Sequence, residues 1–212
     1  MLMAGMKKFT LQATRNILRH NERTIQNPSN TDIDSAKTIS NYALHPERNM
    51  SSYKYFLERK SQLYCYNRDD VKVTAGWIVT QPTDFPKEKQ RIFFEAVYNF
   101  LNDRYGEENC IQAIVHRDES GQPHLHYMFI PVTEDKKHGG QKICANEVLN
   151  AEELRTFHPD LQKYLLNRGI QANVMSGITK KQGGNKTVWQ MKQERQRKRD
   201  YERAYERSNS RW

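Results

Sequence analysis

The stretch Ile114-Val115-His116-Arg117-Asp118-Glu119-Ser120-Gly121-Gln122-Pro123-His124-Leu125-His126-Tyr127-Met128-Phe129-Ile130 decides how the middle of this chain folds. Two apolar runs flank a polar segment that contains Gly121 and Pro123, a pattern typical of a hairpin of two strands. We therefore expect antiparallel strands over residues 110–116 and 124–131. The positions predicted to bury one face of the second strand are Leu125, Tyr127 and Phe129.

Three of the seven histidines of the chain lie in this hairpin. Side chains alternate along a strand, so His124 and His126 share a face, about 6.6 Å apart along it. His116 can lie directly opposite His124, and directly opposed residues also share a face. Three imidazoles at one end of a two-stranded ribbon predict a divalent metal site with open coordination positions. Imidazole suits Zn, Fe, Ni, Cu and, more weakly, Mn, whereas Mg prefers oxygen ligands.

Two other interpretations use the same residues. His116-x-Asp118 with a later histidine would satisfy the facial triad of a non-haem iron oxygenase. That interpretation leaves one histidine unexplained and gives the basic charge of the chain no role. Alternatively, the three histidines are simply exposed or hydrogen-bonded side chains of a polar hairpin.

The chain is basic, with 34 Lys and Arg against 25 Asp and Glu among 212 residues and a net charge of +9. The pI of about 9.4 indicates a polyanionic partner, although a solvated basic surface is the alternative. Its 11 tyrosines suit stacking on unpaired bases, or are core residues.

Nothing in the sequence predicts a disulfide framework or a membrane protein. Cys65, Cys110 and Cys144 are odd in number and far apart, which argues against paired cysteines or a cysteine metal site. No run approaches the roughly 18 apolar residues of a membrane span, and the first residues lack the apolar region of a signal peptide. We therefore expect a cytoplasmic protein.

The rest of the pattern intermixes helices and strands without a βαβ period, which favours an α+β fold. Further strands are expected over residues 8–13, 71–80 and 170–174, and helices over residues 14–26, 51–66, 87–105 and 150–168. Gly106 and Gly169 would end the last two helices. The face of the 87–105 helix predicted to be buried comprises Ile92, Phe93, Ala96, Val97, Phe100 and Leu101.

The last part of the chain changes character. Residues 192–207 are almost all Lys, Arg, Glu and Gln, which is typical of a solvated helix or the start of a coiled coil. A boundary near 180–185 divides a catalytic domain of residues 1–185 from a charged helical tail of residues 186–212. We expect the chain to be the N-terminal catalytic part of a longer protein whose remainder dimerises.

The sequence resembles the MobV (Mob/Pre) plasmid mobilisation relaxases of the HUH endonuclease superfamily. The metal motif of that family is similar to His116-x-Asp118-Glu119…Pro123-His124-x-His126, although the loop before Pro123 is one residue longer here. Other segments resemble the family in the same order: His20-Asn21-x-Arg23, Ser29-Asn30-x-Asp32-Ile33, Asn41-Tyr42, Arg68-x-Asp70, Trp77-Ile78-Val79-Thr80, Phe93-Phe94-Glu95 and Tyr105-Gly106-Glu107.

The resemblance implies an antiparallel central sheet flanked by helices and a metal bound by His116, His124 and His126. Manganese or magnesium is expected there, with Zn, Ni or Co as alternatives. His20 would be the nucleophile and form a phosphoramidate with a DNA 5′-phosphate, leaving a free 3′-hydroxyl that permits strand closure. Arg23 would clamp a phosphate, and Glu119 would accept a proton or orient an imidazole.

The resemblance also implies a partner and its contacts. The partner would be origin-of-transfer DNA, as a hairpin or as a single strand with duplex, and nicking of this DNA would initiate conjugative mobilisation. The residues expected to contact DNA are Arg23, Asn41, Tyr42, Arg68 and Tyr105. A rolling-circle replication initiator or recombination protein with a tyrosine nucleophile, for which Tyr42 is the candidate, stays open, as does a non-catalytic DNA-binding module.

Overall fold

The computed structural model describes residues 4–28, 30–175 and 188–209. Its strands are β1 (Ala4–Thr10), β2 (Tyr42–Ala43), β3 (Lys72–Thr80), β4 (Cys110–His116), β5 (His124–Phe129), β6 (Val132–Glu134) and β7 (Gln141–Ile143). Its helices are α1 (Leu11–Asn21), α2 (Ser52–Ser61), α3 (Gln90–Tyr105), α4 (Ala145–Val148), α5 (Ala151–Asn167) and α6 (Val188–Asn209).

Five strands form the central sheet in the order β1-β3-β5-β4-β2, and every neighbouring pair is antiparallel. β6 and β7 form a separate two-stranded sheet. The prediction of an α+β fold with a central antiparallel sheet flanked by helices is therefore confirmed.

The alternation of side chains along β5 divides the core into two layers. Leu125, Tyr127 and Phe129 are fully buried beneath α3 and α5, as the sequence pattern predicts. Met128 points to the other face, where it packs with Leu18 of α1. His124 and His126 have the parity of Met128 and therefore belong to the α1 side of the sheet.

The predicted boundaries around the first helix are wrong by several residues. β1 ends at Thr10, whose hydroxyl accepts a hydrogen bond from the Ala13 backbone amide and caps α1. The helix therefore begins at Leu11, where the sequence pattern had suggested strand. It ends at Asn21, because Arg23 adopts a left-handed backbone conformation with φ of 58°.

Two further expectations need correction. Ile92 is 55% exposed, so the buried face of α3 does not include it. Residues 170–174 form no strand; instead Gln162 of α5 donates a hydrogen bond to the Ala172 carbonyl and accepts one from the Val174 amide. The Gln162 side chain thereby satisfies two backbone groups that, in a strand, would need a neighbouring strand as hydrogen-bond partner.

The charged segment near the end of the chain is helical, as expected. α6 extends over Val188–Asn209, and each of its side chains whose exposure is described is exposed. The chain divides into two units by its internal contacts, one of residues 3–175 and one that contains α6. The boundary expected near 180–185 lies outside the described residues. No helix among those described has the length and apolar character needed to cross a lipid bilayer.

Candidate functional site

The β4–β5 hairpin brings His116, His124 and His126 together on the α1 side of the sheet. His116 lies directly opposite His124 in the register, as predicted. The ring centroid of His116 is 5.5 Å from that of His124 and 4.5 Å from that of His126. One nitrogen of each ring lies within 4.8 Å of the corresponding nitrogens of the other two.

Backbone carbonyls orient two of these rings. His116 donates from Nε2 to the Asn21 carbonyl at 2.8 Å, and His124 donates from Nδ1 to the Gln122 carbonyl at 3.1 Å. The other nitrogen of His124 keeps its lone pair, which is the usual arrangement of a histidine that binds a metal. The other nitrogen of His116, Nδ1, accepts a hydrogen bond from Arg23 at 3.0 Å, which a bound metal would replace. Nε2 of His126 is buried and has no hydrogen-bond partner in the described part of the chain. The three side chains therefore fit a divalent cation.

His20 lies beside this cluster on the last turn of α1. Its ring centroid is 6.5 Å from that of His116 and 6.4 Å from that of His126. Burial and the neighbouring Arg23 guanidinium lower the pKa of His20 below its ordinary value of 6.5. Its imidazole is therefore neutral at pH 7, and the lone pair that could attack an electrophile is on Nε2, which lies 3.4 Å from a guanidinium nitrogen of Arg23.

Arg23 connects His20 with the hairpin. It occupies the position after the helix end where glycine is usual, because a left-handed backbone is strained for other residues. Its guanidinium donates two hydrogen bonds to Asp118, one to Glu119 and one to Nδ1 of His116, and also contacts His20 at Nε2 and at the carbonyl. The guanidinium expected to clamp a phosphate is thus fully engaged within the protein.

Asp118 is the main hydrogen-bond partner of Arg23, a role that the sequence analysis did not assign to it. It is completely buried and accepts hydrogen bonds from Arg23 at 2.8 and 2.9 Å and from the Thr38 hydroxyl at 3.0 Å. Burial opposes ionisation of this carboxyl, but these hydrogen bonds hold its pKa well below its ordinary value. The signal that the sequence offered is strand alternation: Asp118 is two residues after His116, and residues two apart share a face.

Asn41 and Glu119 lie at the rim of this network. Asn41 accepts a hydrogen bond at 2.7 Å from the backbone amide of Arg117, so it anchors the hairpin to the preceding segment. Glu119 accepts from Arg23 at 2.8 Å, and its other oxygen is 4.0 Å from Nε2 of His124. The second distance is longer than a hydrogen bond, so the role expected of Glu119 in orienting an imidazole stays a prediction.

Tyr42 is directed away from the histidines. It pairs with Val115 of β4, which in turn faces Leu125 of β5, and its ring packs against the core layer beneath α3. Directly opposed residues share a face, so Tyr42 and the three histidines lie on opposite faces of the sheet. The Tyr42 hydroxyl is buried, and burial raises its pKa above its ordinary value.

Two residues expected to contact DNA lie away from the histidine cluster. Tyr105 is only 8% exposed; it stacks on Phe129, accepts a hydrogen bond from Trp77 and donates one to Glu153. It is a core residue, which corrects the expectation of a DNA contact. Arg68 is exposed on the loop that precedes β3 and pairs with Asp70.

Comparison with known proteins agrees with this geometry. A plasmid recombination enzyme of Streptococcus agalactiae is 30% identical over 200 residues, which cover 90% of this chain and 38% of that protein. A plasmid recombination enzyme of Lactiplantibacillus plantarum is 31% identical over 195 residues, which cover 88% of this chain and 51% of that protein. The chain therefore spans between about two fifths and one half of the length of these relatives.

A solved structure is similar over most of both chains. It is the MobM relaxase domain (MOBV; Mob_Pre) bound to origin-of-transfer DNA of plasmid pMV158, in an Mn-bound crystal structure. The TM-score is 0.74 at 28% sequence identity, over 90% of this chain and 96% of that one. The model of the Mob_Pre family, which is described as plasmid recombination enzyme, matches residues 1–193 of this sequence. The chain belongs to the Mob_Pre family of plasmid recombination enzymes.

Proposed function

We propose that this chain is the catalytic part of a metal-dependent DNA relaxase that nicks one strand at an origin of transfer and so initiates mobilisation of a plasmid or related element. The observation that carries the proposal is the position of His20, whose neutral imidazole lies beside three histidines that fit a divalent cation. Origin-of-transfer DNA is bound by the similar MobM domain and is the partner that we propose here.

In the proposed reaction, His20 attacks the scissile phosphorus and the bond to the 3′-oxygen breaks. The products are a free 3′-hydroxyl and a phosphoramidate between His20 and the 5′-phosphate. Attack of the 3′-hydroxyl on this phosphoramidate reverses the reaction. His116, His124 and His126 would hold the metal, and manganese is the ion in the similar MobM structures. When bound, the metal supplies positive charge that polarises a phosphate oxygen.

Arg23 has two roles in this proposal. Its charge disfavours protonation of His20 and so maintains the nucleophile. It also holds Glu119 close to His124. A direct contact of Arg23 with the phosphate would require that the DNA replace one of its present hydrogen-bond partners.

The geometry favours this function over the alternatives. A tyrosine-dependent initiator would need Tyr42 near the cluster, but the tyrosine lies on the other face of the sheet. An iron oxygenase would use Asp118 together with His116, a pair that could itself hold a metal, but it would leave one histidine of the cluster unexplained and would give His20 beside the cluster no role. A non-catalytic DNA-binding module would have no use for Nε2 of His126, which is buried without a hydrogen-bond partner among the described residues. A homodimer formed through a region beyond the catalytic part remains a prediction.

Nicking of supercoiled plasmid tests the proposal. The plasmid should carry the DNA that flanks the gene for this chain, and relaxation should be measured with Mn and with a chelator. We expect His20→Ala to abolish nicking and Tyr42→Phe to retain it. Undiminished nicking in chelator would exclude the metal, and loss with Tyr42→Phe alone would exclude His20 as the nucleophile.

A further inference from the structure

A basic groove lies along the half of α1 that is remote from His20. Its lining includes Arg15 and Asn16 of α1, Tyr53 and Lys60 of α2, and Tyr66 and Arg68 of the following loop, and it encloses about 640 Å³. We call it the α1 groove. None of its residues belongs to the histidine cluster or to the network around Arg23.

The groove carries positive charge that the protein itself does not neutralise. Among the described residues of its lining, Asp69 is the one acidic residue against three basic residues. Among the described residues, Arg15 and Lys60 form no ion pair, and Arg68 pairs only with the exposed Asp70, a contact of little energetic value. Unpaired cations in a concave surface attract a polyanion.

Helix geometry connects the groove with His20. Gln12, Asn16 and His20 are spaced four residues apart and therefore lie on one face of α1, and the first two line the groove. Gln12 and His20 are about 12 Å apart along the helix axis. That distance corresponds to roughly three nucleotides at the 3.4 Å rise of a stacked strand. Arg19, which is exposed and forms no ion pair with a described residue, directly precedes His20 in the last turn of α1.

Aromatic side chains indicate which form of DNA the groove suits. Tyr66 is 54% exposed, and Tyr53 forms part of the same wall. Proteins that hold single strands combine a basic groove with exposed aromatic rings, on which unpaired bases stack. Duplex DNA offers the same phosphates but keeps its bases stacked within the helix.

We propose that the α1 groove binds a single-stranded segment of the DNA that is continuous with the nicked phosphodiester. Phosphates lie against Arg15, Arg19 and Lys60, and a base stacks on Tyr66. This inference rests on the proposed function, because the occupant is the substrate strand as it leaves His20.

Binding of a labelled single strand of mixed sequence, and of the duplex of the same sequence, tests the inference across a series of salt concentrations. We expect Arg15→Gln and Lys60→Gln each to weaken binding of the single strand and to reduce the slope of log affinity against log salt by about 0.7. Arg15→Lys should retain the slope. Tyr66→Ala should weaken binding of the single strand about tenfold, with the slope unchanged and the duplex little affected.

Lys163→Gln is the matched control, because it removes one charge from an exposed site on α5, on the other side of the sheet. Slopes of Arg15→Gln and Lys60→Gln equal to that of Lys163→Gln would overturn the inference. Equal losses of single-strand and duplex binding with Tyr66→Ala would overturn the assignment to a single strand. If the unaltered protein nicks plasmid but these variants bind like the control, the groove assignment alone fails. If the unaltered protein neither binds nor nicks DNA, the proposed function fails.

Discussion

Replacement of Asp118 by asparagine should destabilise the protein far more than an ordinary loss of one charge. Asp118 is completely buried, and its partner Arg23 has only 8% of its side chain exposed. Breaking a buried ion pair costs about 3–5 kcal/mol, because the remaining charge stays buried without compensation. Arg23 retains its contact with Glu119, so we expect a loss of about 3 kcal/mol for Asp118→Asn, at the lower end of that range.

Urea denaturation followed by fluorescence measures this loss as a lower midpoint with an unchanged slope. The matched control is Asp70→Asn, which breaks the exposed pair with Arg68 and should cost about 0–1 kcal/mol. The double variant Arg23→Met/Asp118→Leu removes both charges and should be more stable than Asp118→Asn. The reasoning is refuted if Asp118→Asn loses no more free energy of unfolding than Asp70→Asn does.

Three other predictions concern the metal, the nucleophile and a turn. His126→Ala should abolish binding of Mn in calorimetry and nicking with it, whereas retained Mn binding would contradict the assigned ligands. The rate of adduct formation should decline only below pH 6.5, because the neutral form of His20 persists below its ordinary pKa; a midpoint above 6.5 would contradict this. Gly106→Ala should cost about 1–3 kcal/mol of unfolding free energy, since φ is +87° and the new Cβ would lie 2.7 Å from Asn109. Gly121→Ala, whose Cβ would meet nothing within 4 Å, is its control in the same denaturation experiment.

The hairpin could be predicted from sequence because its information is local. The alternation of Leu125, Tyr127 and Phe129 fixes which face of β5 is buried, and the opposing position of His116 follows from the short connection. The same parity places His124 and His126 on one face. Local alternation and strand pairing therefore suffice for the convergence of the three histidines.

The network around Arg23 could not be predicted in the same way. Arg23 and Asp118 are 95 residues apart, and a left-handed backbone at an arginine runs against its ordinary preference. The family resemblance identified Tyr42 and Tyr105 as positions of interest without indicating which way their side chains point. Pairing of Tyr42 with Val115 directs one away from the cluster, and stacking on Phe129 buries the other.

The most direct test of the proposed histidine nucleophile is to map the covalent adduct by mass spectrometry. The protein should react with a single strand from the DNA that flanks its gene and then be digested with trypsin at neutral pH. We predict a nucleotide phosphate on the peptide His20–Arg23, which contains no tyrosine, and loss of the adduct in acid, as expected for a phosphoramidate. An acid-stable adduct on a peptide that contains Tyr42 or any other tyrosine would contradict the account.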